Sequence, residues 1–318
     1  MKPGLAITVL AFAMMLGPSG MAQDGITPVG IGGLVVDKLY PIQLDRENVH
    51  ITGKEVIVDS QFHNISSEDM TRVVTLPIAP VGPELYAGYF LNLFNYQDNS
   101  SFDPVITVDG KPIVAKLEVR ATAGFLDVTE RLKALNVNLL PGLAQRALFG
   151  LTAKQKQELE ELGVVVGGVD NPYPNWTVRL TYYWVQSFPG NKTLSIRHVY
   201  SLGLGEWRFD PEMRYSYGYS RILCIDDALR QYLRQAEKEG RHWESVRQIV
   251  YSVPQIPGQR ERVGEFRIAV DKRDPDAAVS ICSEGIVTSL PAGSAMIKQQ
   301  FDSAAEIRVV IFEPRQMH

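Results

Sequence analysis

The hydrophobic and polar positions alternate with a period of two along most of the chain. The pattern is clearest between Trp176 and Tyr200. Val178, Leu180, Tyr182 and Trp184 fall on one side of a strand, and Thr177, Arg179, Thr181 and Tyr183 on the other. These residues are β-branched or aromatic, which suits a pleated surface. A returning run puts Leu194, Ile196, His198 and Tyr200 on one face, and Ser195, Arg197 and Val199 on the other. Between them, Phe188-Pro189-Gly190-Asn191 supplies a preset φ and a permissive φ where the chain must reverse. The two runs read as an antiparallel hairpin with one buried face and one partly wet face.

The same period recurs on both sides. Val56, Val58, Ser60 and Phe62 alternate with Ile57, Asp59 and Gln61, a polar turn follows at 63–69, and Val73 to Pro77 is a further strand. Tyr86 to Tyr96 is rich in aromatics, and Phe102 to Val119 reads as a hairpin turning at Asp109-Gly110. Later strands are expected near Ile249 to Val253, Phe266 to Val270, Val279 to Cys282 and Ile307 to Phe312. Short strands with turn signals at roughly 8–12-residue spacing predict a mainly β protein of antiparallel sandwich type.

The period changes near Gly124. Asp127 with Glu130 resembles a capping box, Pro141 starts a second helical piece, and Thr152 with Gln155 is a full box opening a helix that ends at Gly163. A later helix, capped by Asp226 or Asp227 and stopped at Gly240, carries Leu229, Tyr232, Leu233 and Ala236. The expected layout is therefore two antiparallel β-sandwich-like domains, 23–123 and 171–318. A helical connector at 124–170 joins them, and a helix at 226–240 is inserted in the second.

Composition narrows the class. Of 318 residues, 45% are hydrophobic and 21% charged, as in an ordinary globular protein. A net charge of -4, with no basic segment, points to neither a nucleic-acid partner nor an anionic membrane surface, and no nucleic acid is expected. At the start of the chain Lys2 precedes an apolar run, Leu5 to Leu16, and Gly20-Met21-Ala22 forms a small-x-small cleavage site. This is the pattern of a secretory signal peptide, residues 1–22, with cleavage near Ala22 and a periplasmic or secreted mature chain. The apolar run is shorter than the about 20 residues a membrane span needs, and no later segment could span. Cys224 and Cys282 are the two cysteines, and an even pair in an exported protein predicts a disulfide.

Candidate chemistry is sparse. Gly30, Gly32 and Gly33 lack the strand and the basic residue of a phosphate loop. The five histidines form no close metal pair, and Asp271, Asp274 and Asp276 lack the glycine and glutamate of a calcium loop, so no metal or cofactor is expected. Tyr215, Tyr217 and Tyr219 fall on one face, and with Tyr183 and Trp184 they could line a groove for a glycan or peptide. His198 stands beside the aromatic cluster. Binding candidates are therefore Tyr183, Trp184, His198 and Tyr217, with no catalytic set. The expected function is a non-catalytic binding protein of the cell envelope, its partner another envelope protein or a glycan. The alternative is an envelope hydrolase with a cleft beside 176–200.

Five segments carry a resemblance to a known family. They are G-G-L-V-V through F-H-N-I-S (32–66), V-T-L-P (74–77), T-Y-Y-W-V-Q-S-F-P-G (181–190) with His198 and Tyr200, I-L-C-I-D-D (222–227), and F-R-I-A-V-D-K with V-S-I-C-S-E (266–272, 279–284). The chain resembles the exported bacterial family named domain of unknown function 4424. It departs from the family pattern after Tyr200, with Ser201-Leu202-Gly203-Leu204-Gly205, and before Phe266, with Gln259 to Arg262. The resemblance implies an exported β-rich protein with a cysteine pair, and neither a substrate nor catalytic residues.

Overall fold

The computed structural model describes residues 29–37, 40–52, 55–78, 82, 104–201, 206–208, 223–252, 262–272, 274, 276–283, 286–290, 294–302 and 306–314. In chain order the first strands are β1 (Val29–Gly32), β2 (Val35–Val36), β3 (Ile42–Ile51), β4 (Glu55–Asn64), β5 (Met70–Pro77), β6 (Val105–Val108), β7 (Lys111–Ile113), β8 (Lys116–Ala123) and β9 (Leu126–Asp127). Helices α1 (Thr129–Ala134), α2 (Pro141–Gly150) and α3 (Ala153–Glu161) follow. Next come β10 (Val165–Val166), β11 (Tyr173–Pro174), β12 (Thr177–Phe188), β13 (Thr193–Ser201), β14 (Glu206–Arg208) and helix α4 (Asp227–Lys238). The chain finishes with β15 (Trp243–Ser252), β16 (Arg262–Val270), β17 (Ala278–Ser283), β18 (Ile286–Leu290), β19 (Ser294–Asp302) and β20 (Glu306–Pro314). The protein is mainly β.

Among the described residues the strands form three large sheets. A seven-stranded sheet has the order β19-β16-β3-β4-β13-β6-β7, and a five-stranded sheet the order β2-β5-β12-β8-β9. A six-stranded sheet runs β1-β15-β20-β17-β18, with β14 also on β15. One face of the seven-stranded sheet, carrying Val49, Val58, Phe62, Ile196 and Phe266, is buried. It packs on both other sheets. Phe62 meets Phe188 of the five-stranded sheet edge-on at 6.0 Å, and Phe266 lies 5.9 Å from Tyr251 of the six-stranded sheet. Strands from both sides of the helical segment therefore share one sheet and one apolar core.

The helices cover what the seven-stranded sheet leaves open. Leu132, Ala144, Leu148 and Leu159 pack on Ala121, Ala123, Trp176 and Val178. The same face of β12, further along, carries Tyr182 and Trp184 into the main core. Thr152 caps α3 with both halves of the capping box, and Gly163 takes φ 67° just beyond its end. Asp226 accepts from the Leu229 amide and caps α4, whose Leu229, Leu233 and Ala236 lie on Val246, Val310 and Phe312. Asp127 acts differently from the expected cap. It lies in β9, and its carboxylate accepts from the Thr129 amide while Val128 is the N-cap.

Two features depart from the expected architecture. Residues 176–200 are not a hairpin. β12 pairs with β5 and β8 in one sheet, and β13 pairs with β4 and β6 in another. The segment is an arch whose legs face each other across the core. Alternation tells which side a residue faces and not which strand it pairs with, so both arrangements fit the same period of two. The arch is held by the 64–69 turn. Asn64 Nδ2 donates to Phe188 O at 2.9 Å, and the Gly190 and Asn191 amides donate to Asp69 Oδ1 and Ser66 O at 2.9 and 2.7 Å. The second departure is that the pairing is not antiparallel throughout, since β3 runs parallel to β16 and β1 parallel to β15. Parallel neighbours need a long crossover connection, and here most of the chain supplies it. The Asp109-Gly110 turn does close a hairpin, β6 with β7, with φ 48° and 76° at its two residues.

Candidate functional site

Strand β3 carries a bulge between Leu44 and Arg46, and beyond it the inward positions are Glu47, Val49 and Ile51. Glu47 is thereby placed in an apolar interior with no exposed surface. Its carboxyl accepts from Tyr251 Oη at 2.7 Å, across the gap between sheets, and from Ser60 Oγ at 3.3 Å on the neighbouring strand. Burial pushes the acid from 4.5 up to about 7, against the pull of these two hydrogen bonds. Tyr251 and Tyr200 are fully buried too, and burial with the nearby Glu47 charge holds both phenols well above their usual range.

His198 lies on the same inner face, paired with Val58 on β4 and stacked on Tyr200 at 5.8 Å. Neither ring nitrogen has a hydrogen-bond partner among the described residues. Burial alone lowers it to about 3, so the ring is neutral at ordinary pH. Glu47 and Tyr251 did not stand out in the sequence. The available signal was the phase of β3, where an acid takes the inward position two residues before Val49.

The structure separates the other candidates. Trp184 points inward, with 6% of its surface exposed, and its indole donates to Gln186 Oε1 at 3.3 Å. Tyr183 lies on the opposite face of β12, half-buried, opposite Thr75 on one side and Lys116 on the other. Tyr217, with Tyr215, Tyr219, the aromatic run 86–96 and residues 1–28, falls outside the described residues. Cys224 is buried at φ 54° and Cys282 lies in β17, its side chain also outside them. Asp271, Asp274 and Asp276 lie between β16 and β17. Asp271 pairs with His50 at 2.7 Å, Asp276 lies 3.5 Å from Arg241, and Asp274 accepts from the Asp276 amide. Among the described residues no group of three or more His, Cys, Asp or Glu is placed to hold a metal ion, and no helix is long and apolar enough to cross a membrane.

The outer face of the five-stranded sheet has a different character. Val73 and Val185 are cross-strand partners there, 38% and 69% exposed, beside Tyr183. The adjoining strand β8 adds Lys116, Glu118 and Arg120, all exposed, with an Arg120–Glu118 ion pair at 2.8 Å. An apolar and aromatic centre with a charged margin is the anatomy of a protein contact surface.

Fold and geometry thus define a mainly β protein with a sealed acid–tyrosine cluster and an exposed sheet face. The chain belongs to the family described as "Domain of unknown function (DUF4424)", whose model matches residues 22–310. No curated protein matches the chain. Among solved structures it is similar to a "putative nutrient binding protein" from Legionella pneumophila subsp. pneumophila str. Philadelphia 1. The identity is 14% and the TM-score 0.45, covering 89% of this chain and 71% of that one. It is also similar to an M1 zinc metallopeptidase from Deinococcus radiodurans, with 8% identity and a TM-score of 0.28. That match covers 84% of this chain and 42% of the metallopeptidase.

Proposed function

We propose that this is an exported, non-catalytic protein of the cell envelope that docks a protein partner on the outer face of the five-stranded sheet. The observation that carries the reading is the exposed Val73–Val185 pair beside Tyr183, with the charged β8 margin next to it. Contiguous exposed apolar surface with a polar rim marks an interaction site more often than a neutral surface. Tyr183 adds an amphipathic ring of the kind that anchors such contacts.

Photo-crosslinking tests the reading. A crosslinking residue at Val185 is expected to trap a discrete envelope protein. The same residue at Asp59, on the outer face of the seven-stranded sheet, traps none. Tyr183→Ala with Thr75→Asp, in the Val185-labelled protein, abolishes the adduct without changing the melting temperature by more than a few degrees. Equal adducts from both positions, or an adduct that survives the double substitution, overturn the reading. Retention on purified cell-wall glycan that the double substitution removes would move the partner from protein to glycan.

Export and the disulfide belong to the same proposal. Export is supported by the tripartite pattern of residues 1–22. The disulfide is supported by Ser280 Oγ, which donates to Cys224 O at 2.6 Å and brings that backbone against β17, the strand of Cys282. Intact mass of the envelope fraction checks both. A chain starting at Gln23 with two hydrogens fewer than the dithiol is expected, and an unprocessed chain or free thiols would refute them.

A further inference from the structure

Glu47 is a buried acid that the docking surface does not use. Its surroundings can be traced element by element. On β3 itself the inward neighbours are Leu44 and Val49. From β4 comes Ser60, and from β13 come His198 and Tyr200 on the same inner face. From β16 comes Phe266, the cross-strand partner of Glu47. From the facing sheet comes Tyr251 on β15, whose hydroxyl bridges the gap. Further along the same face of β15, Arg247 is paired with Glu313 on β20. Among the described side chains the titratable groups that face Glu47 are therefore two tyrosines and one uncharged histidine, and Arg247 already has its own carboxylate. β19 adds Lys298 as the cross-strand partner of Phe266.

One hydroxyl reaches each carboxyl oxygen. With its proton on, the acid accepts from Tyr251 and donates its own O–H to Ser60, which satisfies the neutral group. These two partners are not enough for an anion, because a buried carboxylate needs a cation or several donors to offset lost hydration. On the described side chains alone, ionisation is answered by water, which enters as the β3 and β15 layers part.

We propose that Glu47 and Tyr251 form a proton-dependent latch between the seven-stranded and six-stranded sheets, closed while Glu47 carries its proton and loosened when it is lost. The inference stands on the interior and does not rest on the docking face. The sign follows from the direction of the shift. Burial raises Glu47 in the folded protein from 4.5 to about 7. The closed state therefore binds the proton more tightly than the open one. The closing it contributes is complete below about pH 4.5 and is lost as pH rises to about 7. The gap between the two values corresponds to a roughly 300-fold change in the opening equilibrium.

Hydrogen exchange on the full mature chain, corrected for intrinsic pH dependence, reads the opening directly. In the His198→Leu protein, where no opposing histidine remains, the amides of β15 at Ile249 and Tyr251, and those of β3 at Glu47 and Val49, should lose protection by about 70-fold from pH 5 to pH 8. The amides of β12 at Tyr182 and Trp184 should hold theirs. Adding Glu47→Gln, which cannot ionise, to the His198→Leu protein should remove the pH dependence. A flat His198→Leu profile, or an unchanged slope once Glu47→Gln is added, overturns the latch. If Glu47→Gln does not fold, Tyr251→Phe and infrared spectroscopy replace it. A protonated-carboxyl stretch that titrates near pH 7 in the wild type, and higher in Tyr251→Phe, supports the latch. Absence of that band at pH 6 overturns it.

Discussion

Glu47 and His198 share the inner face of one sheet, and burial moves them in opposite directions. Glu47 rises to about 7 and His198 falls to about 3. The stability that neutral His198 contributes is present above its ordinary 6.5 and lost as pH falls toward about 3. The contribution of Glu47 has the reverse slope between 4.5 and about 7. From pH 4.5 to 6.5 the two slopes oppose each other, and single substitutions should uncover them. His198→Leu is expected to grow more stable as pH falls from 7 to 4.5, and Glu47→Gln to grow less stable. At pH 4 against pH 7 the His198→Leu protein should gain about 3 kcal/mol on the wild type. Urea titrations at three pH values check this, and parallel pH profiles for both variants and the wild type would refute it. Sequence pattern alone placed His198 on a strand beside aromatics and left its ionisation open. Its charge state depends on what closes over it from another sheet, and that information is spread over more than 200 residues.

At the scale of elements the arch at 188–192 is the decisive joint. Gly190 passes so close to the 67–68 backbone that a Cβ there would sit 2.3 Å from Ser67 O and 2.8 Å from the Glu68 amide nitrogen. Neither neighbour is a flexible side-chain tip, so the backbone itself must shift. Gly190→Ala should cost about 2–4 kcal/mol, a magnitude typical of steric overpacking in an ordered region. The control is Gly110→Ala, where nothing lies within 4 Å and only the φ of 76° is strained, so a cost of about 1 kcal/mol is expected. Urea midpoints decide between them, and equal losses would show that the close approach does not matter. This joint marks how far the sequence was legible. The strand faces, the Thr152–Gln155 box, the Asp226 cap and the Asp109-Gly110 hairpin follow from signals a few residues long. Sheet membership follows from contacts between distant segments. Phe188-Pro189-Gly190-Asn191 has the composition of a reversal, and a hairpin and an arch both reverse the chain. Tyr183 and Trp184 are adjacent in sequence and were grouped as one surface, although successive side chains on a strand must face opposite ways.

At the scale of the whole molecule, the described residues form three apolar clusters, each with one tryptophan. Trp184 lies in the central cluster between the sheets, Trp176 in the cluster under α1 to α3, and Trp243 in the cluster under α4. Trp176 directly precedes β12 and Trp184 lies within it, so one strand belongs to both of the first two clusters. β15 and β20 likewise have two buried faces. Ile249, Tyr251 and Val309 enter the central cluster, while Val246, Val310 and Phe312 lie against α4. A strand shared by two clusters couples them, because losing either face exposes the other. The pairing of β3 with β16, and of β4 with β13, ties early strands to late ones in the same way. Uniform 5-fluorotryptophan labelling gives one fluorine signal per indole, assignable by single Trp→Phe changes. All three cluster signals are expected to lose their native positions at one common urea concentration. Near pH 8, where Glu47 is ionised and the latch loosened, any separation should appear first at Trp243, because its sheet is the one that Tyr251 holds against the seven-stranded sheet. A Trp176 transition distinct from that of Trp184 at any pH would break the argument, since no shift in the state of Glu47 can divide a single strand into two cooperative units.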